Sequence, residues 1–433
     1  MYKESYYNIW SGDILFNSLS RKMIKFQPKE VDTIKSFLSN VNEQQDGNEE
    51  LIQSFLFLGF ICDADFDELG FIKVKNRQKV FADKTVRLTI NPTLQCNYRC
   101  WYCCVYEQNT QYENRRMDDL AIEKVKRLIK NYIENEKIQK LHLDWFGGEP
   151  LMYFKQVVLP ISKYAYDLCQ KHGVTFYNFA TTNAFYMDDD MIEAFKSINM
   201  SGFQIPIDGN EQKHNEVKNM SGKGHFKKII QSINSLCEQL PQCQITLRIN
   251  YDEKTLENVE EIIPLIHVNN RQKIQVDFQR VWQVDRNVDE TGNNKKLLVV
   301  KSKFEQAGYK TRYFAYSFKQ YSCCYADSFY HWVINYDGNV FKCSARDYSP
   351  SLVAATIGDN GQLVFNPIVY DYFSDYTFDN EQCLKCKRLP LCYGPCVQKR
   401  YETLKQHKEF HCLHESAEIS LEQYIQQLYE KKS

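Results

Sequence analysis

The sequence predicts an α/β fold in three parts: a winged-helix-like module over residues 1–84, a partial (β/α)6 barrel over 85–310, and a cysteine-rich tail over 311–433. Three observations lead there. At 433 residues the chain is long for one hydrophobic core, because domains usually run to about 100–200 residues. Between residues 85 and 285, β-rich runs alternate with helical stretches, the pattern of βα units around a parallel sheet. Beyond Tyr321 that periodicity fades and closely spaced cysteines set the rhythm instead.

The first module opens with short β-like pieces, Tyr6–Trp10, Ile14–Asn17 and Lys22–Phe26. A helix follows from Pro28, with Val31, Ile34, Phe37 and Leu38 on one face, and another spans Leu51–Leu58 and closes at Gly59. The barrel runs are Val86–Asn91, Lys140–Phe146, Thr175–Ala180, Gly202–Ile207, Gln244–Asn250 and Lys273–Phe278. Between them Leu120, Val125, Leu128, Ile129 and Tyr132, then Ile229, Ile230, Ile233 and Leu236, recur at helical spacing. In such folds ligands sit at the carboxyl ends of the strands, so chemistry is expected just after each run. In the tail, Asn335-Tyr-Asp337-Gly338-Asn reads as a tight hairpin turn, and Leu421, Tyr424, Ile425 and Leu428 mark an amphipathic terminal helix.

Lys+Arg (54) nearly balance Asp+Glu (55), so no overall field draws nucleic acid or an anionic membrane. The first 84 residues carry 11 basic against 13 acidic side chains, which disfavours a DNA-binding winged helix. No basic stretch followed by an apolar run opens the chain, and nowhere do about 18 apolar residues come in succession, so a cytoplasmic location without a membrane partner is expected. Sixteen cysteines in a chain of this size point to metal or cluster ligation rather than to a disulfide framework. Twelve fall in two groups: Cys96, Cys100, Cys103 and Cys104, then Cys323, Cys324, Cys343, Cys383, Cys386, Cys392, Cys396 and Cys412. Cys62, Cys169, Cys237 and Cys243 read as small packing thiols.

Directly after the first barrel run, Cys96, Cys100 and Cys103 are spaced C-x3-C-x2-C. A structural zinc site takes four protein ligands, whereas three leave a position open. Thiolates favour iron–sulfur clusters, and an iron not held by protein can bind a small molecule. This loop resembles the signature of radical S-adenosylmethionine enzymes, with Tyr102 in the aromatic place before the third cysteine; Cys104 reads as a spare packing thiol. The resemblance implies one catalytic [4Fe–4S] cluster on Cys96, Cys100 and Cys103, with S-adenosylmethionine at its open iron. It also implies cofactor contacts from Gly147, Gly148 and Glu149 of the GGEP segment, from Asn183 of Thr182-Asn183, and from Arg248. In the fourth run the serine usual in relatives is replaced by Pro206, leaving Asp208 of Asp208-Gly209 for the ribose. The structural alternatives are a turn for Gly-Gly and Asp-Gly and a solvated strand face for Arg248.

The tail reads Cys324-x13-Gly338-x4-Cys343, then Cys383-x2-Cys386-x5-Cys392-x3-Cys396, with Cys412 beyond. This succession resembles the SPASM domain, which implies two auxiliary [4Fe–4S] clusters. Cys324, Cys343 and Cys396, with Cys323 as the available fourth thiol, would hold one; Cys383, Cys386, Cys392 and Cys412 would hold the other. A pair of zinc sites is the alternative for this tail. The family implies generation of a 5′-deoxyadenosyl radical that takes hydrogen from a substrate, and an electron donor such as flavodoxin or ferredoxin. SPASM enzymes include maturases that cross-link or oxidise ribosomally made peptides, and anaerobic sulfatase maturases that make formylglycine. The 80 or so residues before the cysteine loop favour the peptide maturase, its winged-helix-like module recognising a precursor leader by strand addition. The sulfatase maturase stands second, and a non-catalytic zinc- or iron-binding regulator third.

Overall fold

The computed structural model describes residues 1–43, 47–105, 115–218, 224–281, 290–312 (the backbone alone at 290–293), 324–346, 348–373, 380–410, 412, 417 and 419–430. The chain divides into two compact units. One comprises Met1–Asp83, Phe314–Phe329 and Tyr372–Ser433; the other comprises Lys84–Tyr313 and Tyr330–Asp371.

In the first unit, β1 (Tyr2–Glu4), β2 (Asn8–Ser11), β3 (Ile14–Asn17), β4 (Met23–Lys25) and β5 (Ile61–Asp63) make two small sheets. β1 pairs antiparallel with β5, and β2, β3 and β4 form an antiparallel sheet with β3 in the middle. The expected helices stand at Val31–Ser39 and at Glu49–Leu58, the latter ended by Gly59 in the left-handed conformation (φ 78°). Their apolar faces bury Phe37, Leu38, Ile52 and Phe55 against Leu15 and Phe60. A third helix, Glu68–Ala82, begins at Asp67, whose carboxylate accepts a hydrogen bond from Gly70 N at 2.8 Å. The sequence did not announce it, because its apolar residues are not confined to one face: Val74 and Phe81 are exposed while Ile72 and Val80 are buried.

That third helix meets the carboxy-terminal segment. Ile72 and Tyr7 share a core with Leu389 and Tyr393, which flank Cys392. Lys387 Nζ donates to Asn8 O at 2.9 Å, and Tyr6 OH donates to Lys385 O at 2.6 Å. The terminal helix, Leu421–Glu430, lies on β2 and β3, with Ser11 Oγ donating to Glu422 O at 2.8 Å.

In the second unit, all six predicted barrel runs are strands: β6 (Thr85–Ile90), β7 (Lys140–Trp145), β8 (Thr175–Thr181), β9 (Met200–Ile207), β10 (Gln244–Tyr251) and β11 (Ile274–Arg280). They lie side by side in chain order and all parallel, as short-range βα connections require. Alternation gives the sheet one apolar face, including Leu88, Leu143, Ile205, Leu247 and Val276, and one bearing Arg87, Asp144, Gln204 and Arg248. The helices Asp119–Glu134 and Phe226–Gln239 each bury an apolar stripe at the predicted positions except Leu120, which is exposed in the first turn while Ala121 and Ile122 turn inward.

The sheet continues beyond both ends of this run. β12 (Lys310–Thr311) pairs with β11, and β13 (His331–Ile334), β14 (Asn339–Phe341), β15 (Ala355–Ile357) and β16 (Leu363–Phe365) extend from β6. The predicted turn is present: Gly338 N bonds Asn335 O at 2.9 Å with Gly338 at φ 81°. The tail is thus more regular than its sequence indicates, since strands of three or four residues are too short to display an alternation.

Replacing Ile72 by Ala should open a cavity beneath Leu389 and Tyr393 and cost about 2–5 kcal/mol of stability, whereas Val74→Ala on the exposed side should cost less than about 0.5 kcal/mol. Urea unfolding of the two variants under anaerobic conditions measures the difference.

Candidate active site

The cysteine loop leaves the carboxyl end of β6 and is tied down before its first thiol. Met117 N bonds Pro92 O at 2.8 Å, and Thr93 Oγ1 donates to Arg115 O at 2.6 Å. From the end of β7, Gly148 N donates to Thr93 O at 3.0 Å and Glu149 N to Gln95 O at 2.8 Å. Gly147 and Gly148 are required by that approach. A Cβ on Gly148 would lie 2.0 Å from Gln95 O, and one on Gly147, which has φ +105°, would lie 2.4 Å from Thr93 O. The pair is therefore not an ordinary turn; it lets two backbones meet.

Glu149 is buried, and burial pushes its carboxyl up to about 7. Three donors hold it and partly oppose that rise: Thr182 Oγ1 at 2.7 Å and Leu151 N at 2.9 Å on Oε1, and Asn183 N at 2.8 Å on Oε2. Asn183 in turn donates from Nδ2 to Asn97 Oδ1 at 2.8 Å and approaches Cys96 Sγ at 3.7 Å. The segments after β6, β7 and β8 are thus joined through one carboxylate and one amide.

A second network surrounds the next thiol. Tyr102 OH donates to Asp208 Oδ1 and accepts from Asn250 Nδ2 at 3.0 Å. Lys218 Nζ lies 2.9 Å from Asp208 Oδ2, 3.2 Å from Tyr102 Oη and 3.6 Å from Cys100 Sγ. Burial works against the charge of Lys218, but Asp208, Cys100 and Tyr102 together hold its ammonium well above the usual lysine range. Arg248 joins this network at one remove, donating from Nε to Asn250 Oδ1 at 2.9 Å.

The structure therefore brings together Cys96, Glu149, Thr182 and Asn183, and separately Cys100, Tyr102, Asp208 and Asn250. Lys218, Asn97 and Asn250 were missed. A lysine just past the short helix Glu211–Val217 reads as a solvated end, and nothing in the sequence signals that it turns inward. Cys104 is half-buried; burial pushes its thiol up to about 11, Cys103 and Cys343 add to the rise, and Arg248 opposes it.

Residues 90–266 match the model of the Radical SAM superfamily. The chain carries a radical SAM domain. That superfamily implies a [4Fe–4S] cluster and S-adenosylmethionine, and every catalytic-loop and cofactor residue singled out in the sequence falls inside the matched stretch. Among curated proteins, the chain is 31% identical over 146 residues to a serine-type anaerobic sulfatase-maturating enzyme of Bacteroides thetaiotaomicron, covering 33% of this chain and 34% of that one. The match thus spans about a third of that relative's length. The chain is also 22% identical to a cysteine-type anaerobic sulfatase-maturating enzyme of Clostridium novyi, over 73% of this chain and 89% of the relative. Two solved structures share the fold: anSMEcpe with bound AdoMet and Cp18Cys peptide (TM-score 0.53, 19% identity, 73% of this chain and 89% of that one), and Streptococcus suis SuiB bound to precursor peptide SuiA (TM-score 0.52, 15% identity, 92% and 96%).

The residues of the radical SAM domain fit the group it implies. Its loop offers Cys96, Cys100 and Cys103, with Cys104 directly after the third, and beside Cys96 the Nδ2 of Asn97 is buried without a hydrogen-bond partner. Among the described residues no three His, Cys, Asp or Glu side chains converge as on a single metal ion. A cluster instead takes one thiolate per iron around its faces.

In the other unit, burial raises the thiol of Cys383 to about 11 and that of Cys392 to about 12, and the neighbouring thiols of Cys386 and Cys412 add to both. These four cysteines are neighbours in space. Cys324 and Cys396 are bracketed by Asp327, whose carboxylate accepts from Cys324 N and Val397 N, each at 2.8 Å. Cys323 lies outside the described residues.

Two outcomes follow. Gly148→Ala should displace the Thr93–Gln95 backbone and lower iron incorporation by about one cluster after anaerobic reconstitution, measured by iron and sulfide analysis. Because the folded-state carboxyl of Glu149 titrates near 7 rather than 4.5, its contribution to stability is present below about 4.5 and lost as pH rises through about 7. The wild-type apoprotein should therefore lose stability relative to Glu149→Gln across that window in thermal unfolding followed against pH.

Proposed function

We propose that this protein is a radical S-adenosylmethionine maturase that abstracts hydrogen from, and cross-links or oxidises, residues of a ribosomally made precursor peptide. The observation that carries the reading is the three-cysteine loop, fastened by Gly148 and Glu149 and placed within a radical SAM domain. When bound, the cluster and S-adenosylmethionine supply an electron and a cleavable carbon–sulfur bond, giving methionine and a 5′-deoxyadenosyl radical. The chain's own residues bind and orient. Glu149 would take the cofactor's ammonium, for which a carboxylate already held by three donors is pre-positioned. Arg248 would pair with its carboxylate, and Asp208 with the ribose. Cys383, Cys386, Cys392 and Cys412 would hold one auxiliary [4Fe–4S] cluster, a reading supported by their mutual proximity. Cys324, Cys343 and Cys396 would hold the other, by the order of cysteines in the chain.

The peptide substrate is inferred from residues 1–84, read here as a winged-helix-like leader-recognition module. In the β3–β4 ladder, Asn17 N bonds Lys22 O and Phe26 N bonds Asp13 O, so by antiparallel alternation Ile24 faces β3 while the backbone groups of Met23 and Lys25 point away from it. Among the described residues no strand pairs with that edge, which suits addition of an extended peptide. The fold likeness to SuiB, bound to its precursor peptide, extends over more of this chain than that to anSMEcpe and supports the same reading. Sulfatase maturation remains the second reading because both curated relatives are sulfatase-maturating enzymes.

The test is anaerobic turnover with a candidate precursor encoded beside the gene. The wild type should form 5′-deoxyadenosine and alter the peptide's mass. Simultaneous replacement of Cys96, Cys100 and Cys103 by Ala should abolish both. Lys25→Pro, which removes an outward-facing N–H from β4, should weaken precursor turnover at least tenfold while leaving cofactor cleavage without peptide intact. Formylglycine formation on a sulfatase-derived peptide, with no change in any candidate precursor, would move the second reading ahead.

A further inference from the structure

We propose that Lys218 is a positioning residue for the catalytic cluster: its ammonium, enclosed between Asp208 and Cys100 Sγ, offsets the charge of the ligating Cys100 thiolate and helps to set the potential at which the cluster accepts its electron. The proposal rests on the reading that Cys100 is a cluster ligand. Lys218 is only 3% exposed, and a lysine is almost never so enclosed unless it is paired. Its Nζ lies 2.9 Å from Asp208 Oδ2, which supplies the pairing; the further approach to Cys100 Sγ, at 3.6 Å, is not needed for that purpose. The ammonium is also held from several directions. Its own backbone N–H donates to His214 O at 2.7 Å, and its Nζ donates to Tyr102 Oη, which is itself engaged by Asp208 and by Asn250 of β10.

A reduced cluster carries one more negative charge than an oxidised one. A fixed cation at a ligating sulfur, away from water, therefore stabilises the reduced form and raises the potential, because hydrogen bonds to the sulfurs and local net charge are among the terms that set it. A lysine that merely packed against the loop would be replaceable by a side chain of similar length without charge. A lysine that acts through its charge is replaceable by arginine instead.

The experiment is an electron paramagnetic resonance redox titration of the full-length, anaerobically reconstituted protein. It follows the reduced-cluster signal that changes when S-adenosylmethionine is added and so belongs to the catalytic cluster. Lys218→Met should shift that midpoint to a more negative potential while iron content stays at the wild-type level, and Lys218→Arg should restore most of the shift. Loss of catalytic-cluster iron in Lys218→Met with retention in Lys218→Arg would equally support a requirement for the cation at Cys100. An unchanged midpoint in Lys218→Met, or loss of iron in both variants, would overturn the proposal. Absence of any cofactor-sensitive signal in the wild type is a different failure, since it removes the cluster reading on which the proposal rests.

Discussion

Two backbone hydrogen bonds, from Gly148 N to Thr93 O and from Glu149 N to Gln95 O, hold the start of the cysteine loop against the segment that follows β7. The contact is so close that neither Gly147 nor Gly148 has room for a Cβ. The rest of the site follows from it. With Glu149 fixed by its own backbone, its carboxylate falls where Thr182 and Asn183 after β8 can reach it, and Asn183 in turn reaches Asn97 and Cys96. Three strand ends thereby meet around one thiol through hydrogen bonds of the chain itself.

The same arrangement sets the electrostatics. Glu149 and Asp208 are both buried, yet they are treated differently: Glu149 is met by neutral donors and is pushed up to about 7, whereas Asp208 is met by the ammonium of Lys218. A buried carboxylate served mainly by dipoles, with the ammonium of Lys218 only a lesser influence, has capacity left for a cationic partner, as a cofactor ammonium would be. One already paired suits a neutral hydroxyl better.

Much of this was legible in the sequence where spacing carries the meaning. The six barrel strands were marked by β-rich runs and the tail by its closely spaced cysteines, whereas the grouping of Cys383, Cys386, Cys392 and Cys412 came from the resemblance to the SPASM domain. What was not legible depended on contacts distant in sequence. The helix Glu68–Ala82 has apolar residues on more than one side because Ile72 meets Leu389 and Tyr393 more than 300 residues later. Lys218 looked like an ordinary charged helix end, and only the fold turns it towards Cys100. Those long-range contacts also make residues 1–83 and the cysteines near Leu389 parts of one compact unit, so peptide recognition is better probed by substitutions on β4 than by removing the module.

The central claim is that the Cys96, Cys100 and Cys103 loop holds a cluster whose open iron takes S-adenosylmethionine directly. Electron–nuclear double resonance on the reduced protein, with the cofactor labelled with nitrogen-15 at its amino group and oxygen-17 at its carboxylate, reads that contact without requiring turnover. The account predicts hyperfine coupling from both labels to the cluster, lost when Cys96, Cys100 and Cys103 are replaced; a reduced cluster in the wild type that couples to neither label would contradict it.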